Sequence, residues 1–567
     1  MEIIIVNKET DRMTTRKINL KNFLWIAIIF IITSTSQLFP QKKEILIPKS
    51  SQQVIYGKIT DQKGKPLIAQ VQVWYYPLTK VVMAFGDKKV DGRTDNLIQM
   101  KYSTKDGYYS VSVPADTIVL IITKGPEWLL VKEKFVIKEK EFNGIEYNVT
   151  LKKLYDLSKL GWFSGDAHHH SIYSDGHQNP SEIAHAMKGV GLSWGMLTDH
   201  NSDTGKKEWL GNKTQDFIPI AGCEISTEAS TTSIENGYGH LNQTFIEKMN
   251  GKNVDNPNIW ARAIFDDSKD VQNMIDLTHQ QNGLIAVNHP FQTWDWAGRY
   301  KSWGKVKNLD AIEVWNGEPP HSFTYNDWDT THTNINTLAV HAWFSYLNEG
   351  NKISGIAGSD CHDIYGTTSY PKGEHYWTIT TGNPRTYAYC GKLSGTNIKS
   401  AIKKGNLFLT SNFGPLLLLT VNGKNPGEVI KATRDGKIKI GVNVLANQRL
   451  LKSEDGVRVI FNGKVIKKFT TDTSYTYCDS ISTIIDKDGW ILAEAFGQWP
   501  MYSITNPVFI DLPPYGDFIK NKWVDPVEAT KWNQFRQHPD IKLLNGPTSW
   551  KDTKDSAINI KTKQQLN

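Results

Sequence analysis

Short runs of alternating apolar and polar residues fill residues 50–153: VIYGKIT, AQVQVWYYP and GYYSVSVPADTIVLIITKG, interrupted by the turn-forming DQKGKP. Alternation at period two turns one face of each run inward, so this segment is predicted to be a small β-sandwich. Across residues 156–405 the pattern changes to solid apolar runs separated by helix-periodic stretches, which predicts parallel strands joined by crossovers. Asn179, Pro180 and Glu182 supply the cap, first position and capping-box acid of one helix, which stops at Gly189 and Gly191. A second helix starts near Ser268, sets Val271, Met274, Ile275 and Thr278 on one face, and ends by Gly283. Over residues 410–525 short strands return, with Asn-Gly turns at Asn422 and Asn462, predicting a second β-sandwich. Residues 526–567 read as a partly disordered tail.

The N-terminus adds a destination. Arg16, Lys17 and Lys21 precede the apolar run Phe23 to Thr33, and small polar residues follow from Ser34 to Gln37. That run is shorter than the roughly 20 apolar residues that span a bilayer, so residues 1–36 are expected to be a cleaved signal peptide rather than an anchor. The mature chain is then periplasmic or secreted, with no stable membrane span. With 39% hydrophobic and 22% charged residues, the 567-residue chain fits a soluble globular protein of several domains. Its 65 Lys+Arg against 58 Asp+Glu give +7, but the cations occur as singles and pairs, so no nucleic-acid partner is expected. Cys223, Cys361, Cys390 and Cys478 match no zinc or disulfide spacing and read as mostly core thiols.

The candidate chemistry lies in the middle segment. GWFSGDAHHH ends in His168 and His170, LSWGMLTDH in Asp199 and His200, FIPIAGCEIS carries Glu224, GLIAVNHP carries His289, and ISGIAGSDCH carries Asp360 and His362. Each follows an apolar run, and in a parallel barrel all strand C-termini share one face, so residues nearly 200 positions apart converge. Groups this costly to bury are explained by metal coordination or charge pairing. Imidazole and carboxylate without thiolate suit Zn, Mn or Fe. In an extended HxH, His168 and His170 project to one side and His169 to the other. Cys223 and Cys361, each beside a ligand, face the packing side.

These residues resemble the PHP (polymerase and histidinol phosphatase) superfamily, and within it the CehA/McbA-like metallohydrolase branch. GDAHHHSIYSDG, TDHN, GCEIS, GHLN, NHP and GSDCH carry the likeness, together with EVWNG, TGNPRTY and the trailing LTSNFGP. The opening GKITDQKGKPLIAQVQVW resembles the carboxypeptidase-regulatory-like family. The resemblance implies an α/β chain whose distorted (β/α)7 barrel is flanked by the two β-sandwiches and holds two or three divalent ions. His168, His170, Glu224 and Asp360 would hold the first ion; Glu224, His240 and His289 the second; Asp175, His200 and His362 the third. Asp199 would orient a ligand by a hydrogen bond, and Arg385 would offer positive charge to an anionic group or be structural. The implied function is an exported hydrolase that uses a metal-activated hydroxide on a phosphoester or a carboxyl or carbamate ester, in a small-molecule or glycan-linked substrate. The alternative is an exported carbohydrate-binding or adhesion protein with the barrel as scaffold, in which Trp294, Trp296, Trp303 and Trp315 stack on sugar.

Overall fold

The computed structural model describes residues 53–76, 97–138, 144–227, 238–263, 265–291, 300–317, 319–321, 335–365, 380–498, 501–533 and 546–547. The leader 1–36, Trp294, Trp296 and most of the 526–567 tail lie outside them. Among the described residues no helix is long and apolar enough to cross a membrane.

The first strands are β1 (Gln53–Asp61), β2 (Gln70–Tyr75), β3 (Leu97–Tyr102), β4 (Tyr108–Val113), β5 (Thr117–Thr123), β6 (Val131–Val136), β7 (Ile145–Glu146) and β8 (Val149–Leu151). They form two sheets, β4-β1-β7 with β8 also on β1, and β3-β2-β5-β6. The alternation does what the sequence suggested: Ile55, Ile59, Val111 and Val113 from one sheet meet Val71, Val73, Leu120 and Ile122 from the other in one buried cluster.

The middle segment supplies β9 (Trp162–Asp166), β10 (Trp194–Leu197), β11 (Ile218–Ser226), β12 (His240–Thr244), β13 (Leu284–Asn288), β14 (Ala311–Asn316), β15 (Ser354–Gly358) and β16 (Arg385–Tyr389). Strands β9 to β15 neighbour one another in chain order. All run the same way except β12, which is antiparallel to both β11 and β13. An antiparallel partner needs no helical crossover, so the expected all-parallel order fails at this strand. The sheet curls until its ends meet just beyond β9 and β15. There His169 bridges Cys361, Asp360 N donates to His168 O (3.0 Å) and His170 N donates to Cys361 O (3.1 Å). Outside the curl lie α1 (Pro180–Gly189), α2 (Lys206–Leu210), α3 (Ser268–Gln280), α4 (Ile335–Asn348) and α5 (Gly395–Lys404). In α1 the capping box closes, with Asn179 Oδ1 accepting from Glu182 N (3.0 Å) and Glu182 Oε2 from Asn179 N (3.1 Å). In α3 Val271, Met274, Ile275 and Thr278 are the buried positions, as their spacing predicts.

On the far side of β9, β16 pairs antiparallel, and β17 (Leu407–Thr410) carries the same sheet onward. It continues through β25 (Tyr502–Thr505), β24 (Gly489–Phe496), β21 (Ser453–Phe461) and β22 (Lys464–Thr471), with β26 (Val508–Asp511) also paired to β24 and β19 (Val429–Lys431) to β26. The curled segment and the C-terminal strands therefore share one backbone hydrogen-bonded sheet. A smaller sheet of β18 (Leu416–Val421), β20 (Lys437–Leu445) and β23 (Thr476–Ile484) joins it through a buried cluster in which Leu417, Leu419 and Val442 meet Val457, Val459 and Ile491. Both Asn-Gly pairs take the left-handed backbone a tight hairpin requires, Asn422 at φ 47 and Asn462 at φ 49.

Candidate metal centre

Beyond β9, His168 and His170 lie on one side of the extended chain, and His169 turns away to pair with Thr381 Oγ1 (3.1 Å). From β11 comes Glu224, from the end of β13 His289, and from the end of β15 Asp360. Because β12 runs in reverse, its first residue, His240, stands at the same rim as the last residues of its neighbours, opposite Ser226 and Asn288. His289 (φ 22) and Asp360 (φ 53) occupy left-handed backbone, a conformation that costs a non-glycine residue about 1–3 kcal/mol and concentrates at functional sites. Gly358 is required two residues before Asp360: a Cβ there would stand 2.4 Å from that of His168 and 2.8 Å from Glu313 Oε1.

Glu224 is the hub. Its Oε2 lies 3.2 Å from His168 Nε2, 3.3 Å from His170 Nε2 and 3.1 Å from His200 Nδ1. Its Oε1 lies 3.2 Å from His240 Nδ1 and 3.3 Å from His289 Nε2. Asp360 Oδ1 stands 2.9 Å from His170 Nε2 and 3.2 Å from His168 Nε2, and those two nitrogens are 3.1 Å apart. Toward solvent, Asp175 reaches His362 Nε2 (3.3 Å) and His200 Nε2 (3.6 Å). All nine residues expected as ligands thus gather in one place. His168, His170, Glu224 and Asp360 form one set able to hold an ion, His170, Asp175, His200 and His362 a second, and His200, Glu224 and His240 a third. His170 and His200 each fall in two sets. His289 approaches Glu224 as expected, and it also groups with His168 and Glu313.

The donor set fits divalent cations. With bonds of about 2.0–2.2 Å, neighbouring ligand atoms around one ion stand roughly 2.8–3.6 Å apart. The Glu224, Asp360, His168 and His170 atoms are spaced at 2.9 to 3.3 Å. The His168 and His170 Nε2 atoms stand 3.1 Å apart and both face Glu224 and Asp360, so in their neutral forms each can present a lone pair to a shared cation. Burial alone would raise the Glu224 and Asp360 carboxyls, yet the surrounding histidines hold both well below the usual carboxylate range. Carboxylates and imidazoles are thus already packed against one another at the rim, with both carboxyls ionised.

Two residues the sequence reading passed over complete it. Glu313, in β14, accepts from His168 Nδ1 (3.1 Å) with Oε1, and from His289 N (2.9 Å) and Asn316 Nδ2 (3.1 Å) with Oε2. Asp166 accepts from Ser359 N (2.9 Å), Ser359 Oγ (2.6 Å), Gly382 N (2.8 Å) and His168 N (3.3 Å), tying β9 to the strand that delivers Asp360. The signal for Glu313 was available: a carboxylate inside the apolar run AIEVW is a costly burial without a partner.

Two expectations about roles change. Asp199 bonds no ligand imidazole; it accepts from Ser171 N (2.6 Å), Ser171 Oγ (2.7 Å) and Ser174 Oγ (2.9 Å), fixing the turn that follows His170. Arg385 does not face the cluster. It is fully buried and donates to Gly382 O (3.0 Å), Val190 O (2.9 Å) and Asn412 Oδ1, so backbone and amide oxygens, not a substrate anion, occupy its guanidinium. An Arg385→Met variant is expected to lose about 2–5 kcal/mol of stability, because two buried carbonyls lose their donors, while binding metal as the wild type does. Denaturant unfolding beside metal analysis checks this. Trp303 and Trp315 are likewise buried in the core, not offered to a sugar.

No family model matches the chain, and no curated protein matches it. Among solved structures it is similar to a two-domain protein from Bacteroides vulgatus containing a predicted PHP-like metal-dependent phosphoesterase. The two are 18% identical over 61% of this chain and 95% of the other, at a TM-score of 0.31. A protein from Bifidobacterium adolescentis, provisionally assigned as a metal-dependent phosphoesterase, is 13% identical over 38% of this chain and 93% of its own, at 0.23. An amidohydrolase from Chromobacterium violaceum, solved with sulfate and no metal, is 14% identical over 35% of this chain and 87% of its own, at 0.24.

Proposed function

We propose that this protein is an exported metal-dependent hydrolase of the PHP superfamily, CehA/McbA-like branch, acting on phosphoester or carboxyl or carbamate ester bonds. The observation that carries the reading is the spacing of Glu224 and Asp360 against His168 and His170, which matches the edges of a metal coordination shell. His168, His170, Glu224 and Asp360 would hold one ion, with Glu224, His240 and His289 at a second and Asp175, His200 and His362 at a third. Divalent ions in such sites lower the pKa of water and polarise a substrate oxygen, which removes the need for a Ser or Cys nucleophile. The chain's own residues supply orientation: Glu313 fixes the face that His168 presents, Asp199 fixes the turn after His170, and Asn288 donates to Glu224 Oε1 (2.7 Å). Protein loaded with Mn or Zn is expected to carry two or three ions per chain and to turn over at least one of p-nitrophenyl phosphate, its bis-ester and p-nitrophenyl acetate. A metal content near zero after supplementation, or no turnover of any of the three, contradicts the reading.

One observation favours glycan binding as a second reading. A groove of about 650 Å³ runs between β3 and α1, lined by Gln99, Lys101, Tyr102, His185 and Tyr365. Its tyrosines and polar side chains suit a hydroxyl-rich ligand. Replacing His168 and His170 by Ala separates the two: glycan retention with no hydrolysis in the wild type favours the binder.

A further inference from the structure

Trp260 is the one exposed tryptophan among the described residues, at 38% accessibility, and its indole faces the candidate metal centre. Its ring centroid lies 5.3 Å from that of His200, tilted by 46°. His200 belongs to the outermost ligand set, whose Asp175 and His362 side chains keep 29% and 25% of their surface open. The indole therefore stands on the solvent-facing side of the cluster.

The loop that carries it is anchored to the site. Asn258 Oδ1 accepts from Trp260 N (3.1 Å) and starts the 3-10 turn Ile259–Ala261. Two residues on, Arg262 donates through Nη1 to Asn201 O (3.1 Å), the carbonyl next to His200, and through Nε to Asn256 O (2.6 Å). Arg262 O in turn accepts from Asn253 N (2.9 Å), closing the loop on itself. A loop held this way has lost much of its backbone freedom before a ligand arrives, which lowers the ordering cost left to be met on binding.

We propose that Trp260 is a stacking platform that determines specificity, selecting substrates that carry a six-membered ring next to the anionic or ester group held at the metal centre. The inference rests on the hydrolase reading for the placement of that group, and Trp260 is its specificity residue rather than part of its chemistry. A pyranose and an aryl ring share the required flat apolar face.

The test uses metal-loaded protein and phosphonates that cannot be hydrolysed: methylphosphonate, phenylphosphonate and a (glucopyranosylmethyl)phosphonate joined to the sugar through carbon, titrated calorimetrically. Wild type is expected to bind a ring phosphonate about tenfold more tightly than methylphosphonate. Trp260→Ala should abolish that preference and leave methylphosphonate binding unchanged, and Trp260→Phe should restore most of it. Whichever ring shows the larger gain identifies the substrate side as glycosyl or aryl. Equal ring preference in wild type and Trp260→Ala, no preference in wild type, or failure of every phosphonate to bind overturns the proposal. Ring-selective binding with no turnover of any ester keeps it and removes the hydrolase reading instead.

Discussion

A Glu224→Gln variant is expected to lose at least one bound ion per chain and at least about a thousandfold in hydrolysis, with its fold intact. The physical reason is that Glu224 serves five imidazoles with two oxygens: His168, His170 and His200 face Oε2, and His240 and His289 face Oε1, all within 3.3 Å. The amide of Gln fills the same volume but carries no charge and replaces one acceptor oxygen by a donor, so one of these two groups meets an NH2. No neighbour can substitute, because Asp360 approaches from the side of His168 and His170 and Asp175 from the solvent side. A single well-placed electrostatic donor at a reacting centre is worth about 10²–10³ in rate, and Glu224 joins more than one ligand set. Elemental analysis of the purified variant with steady-state rates on p-nitrophenyl phosphate measures both losses. A variant with full metal content and more than a tenth of wild-type activity would falsify the hub role.

Much of this site was legible because histidines and carboxylates at the ends of buried strands break the hydrophobic pattern in a recognisable way. His168, His170, His200, Glu224, His289, Asp360 and His362 each follow an apolar run, and strand order then follows chain order from β9 to β15. The same rule hid β12. Its sequence HLNQT is mostly polar, yet all five residues are buried. Gln243 makes this tolerable by a two-way pairing with the backbone of Asn250, Nε2 to O (2.9 Å) and N to Oε1 (2.9 Å). A strand that satisfies its polar side chains locally leaves no alternation to read, and its reversed direction is invisible to a pattern that assumes crossovers. Arg385 shows the limit from the other side. A cation in a polar segment reads as available for an anion, and only the fold reveals that carbonyls from Gly382 and Val190 have already claimed it. The continuity of one sheet from β9 through β16 and β17 into the C-terminal strands was equally hidden. Pairing between distant strands is set by edge geometry rather than by local sequence.

Glu313→Gln should lower metal affinity about 10–100-fold although none of the nine residues expected as ligands is replaced. Three donors converge on this carboxylate: His168 Nδ1 at 3.1 Å on Oε1, and His289 N at 2.9 Å and Asn316 Nδ2 at 3.1 Å on Oε2. The carboxylate can accept all three, whereas an amide has one accepting oxygen. If Gln turns its oxygen to His168, its NH2 confronts the backbone N–H of His289 and displaces a residue already held in left-handed backbone. If it turns the other way, His168 loses the acceptor that keeps its proton on Nδ1 and its Nε2 lone pair toward Glu224 and Asp360. Either arrangement disturbs an imidazole at the rim, and Asn316, which also donates to Asp360 Oδ2 (3.2 Å), passes part of the disturbance to a third group. Glu313→Ala leaves His168 Nδ1 and His289 N without their acceptor in a buried setting and leaves Asn316 with Asp360 alone, so it should be the worse of the two and should also lower stability by about 2–5 kcal/mol. Competition for the ion with a chelator of known affinity gives the first quantity, and denaturant unfolding of the apo forms gives the second. Unchanged chelator competition in Glu313→Gln would show that His168 keeps its orientation without this partner.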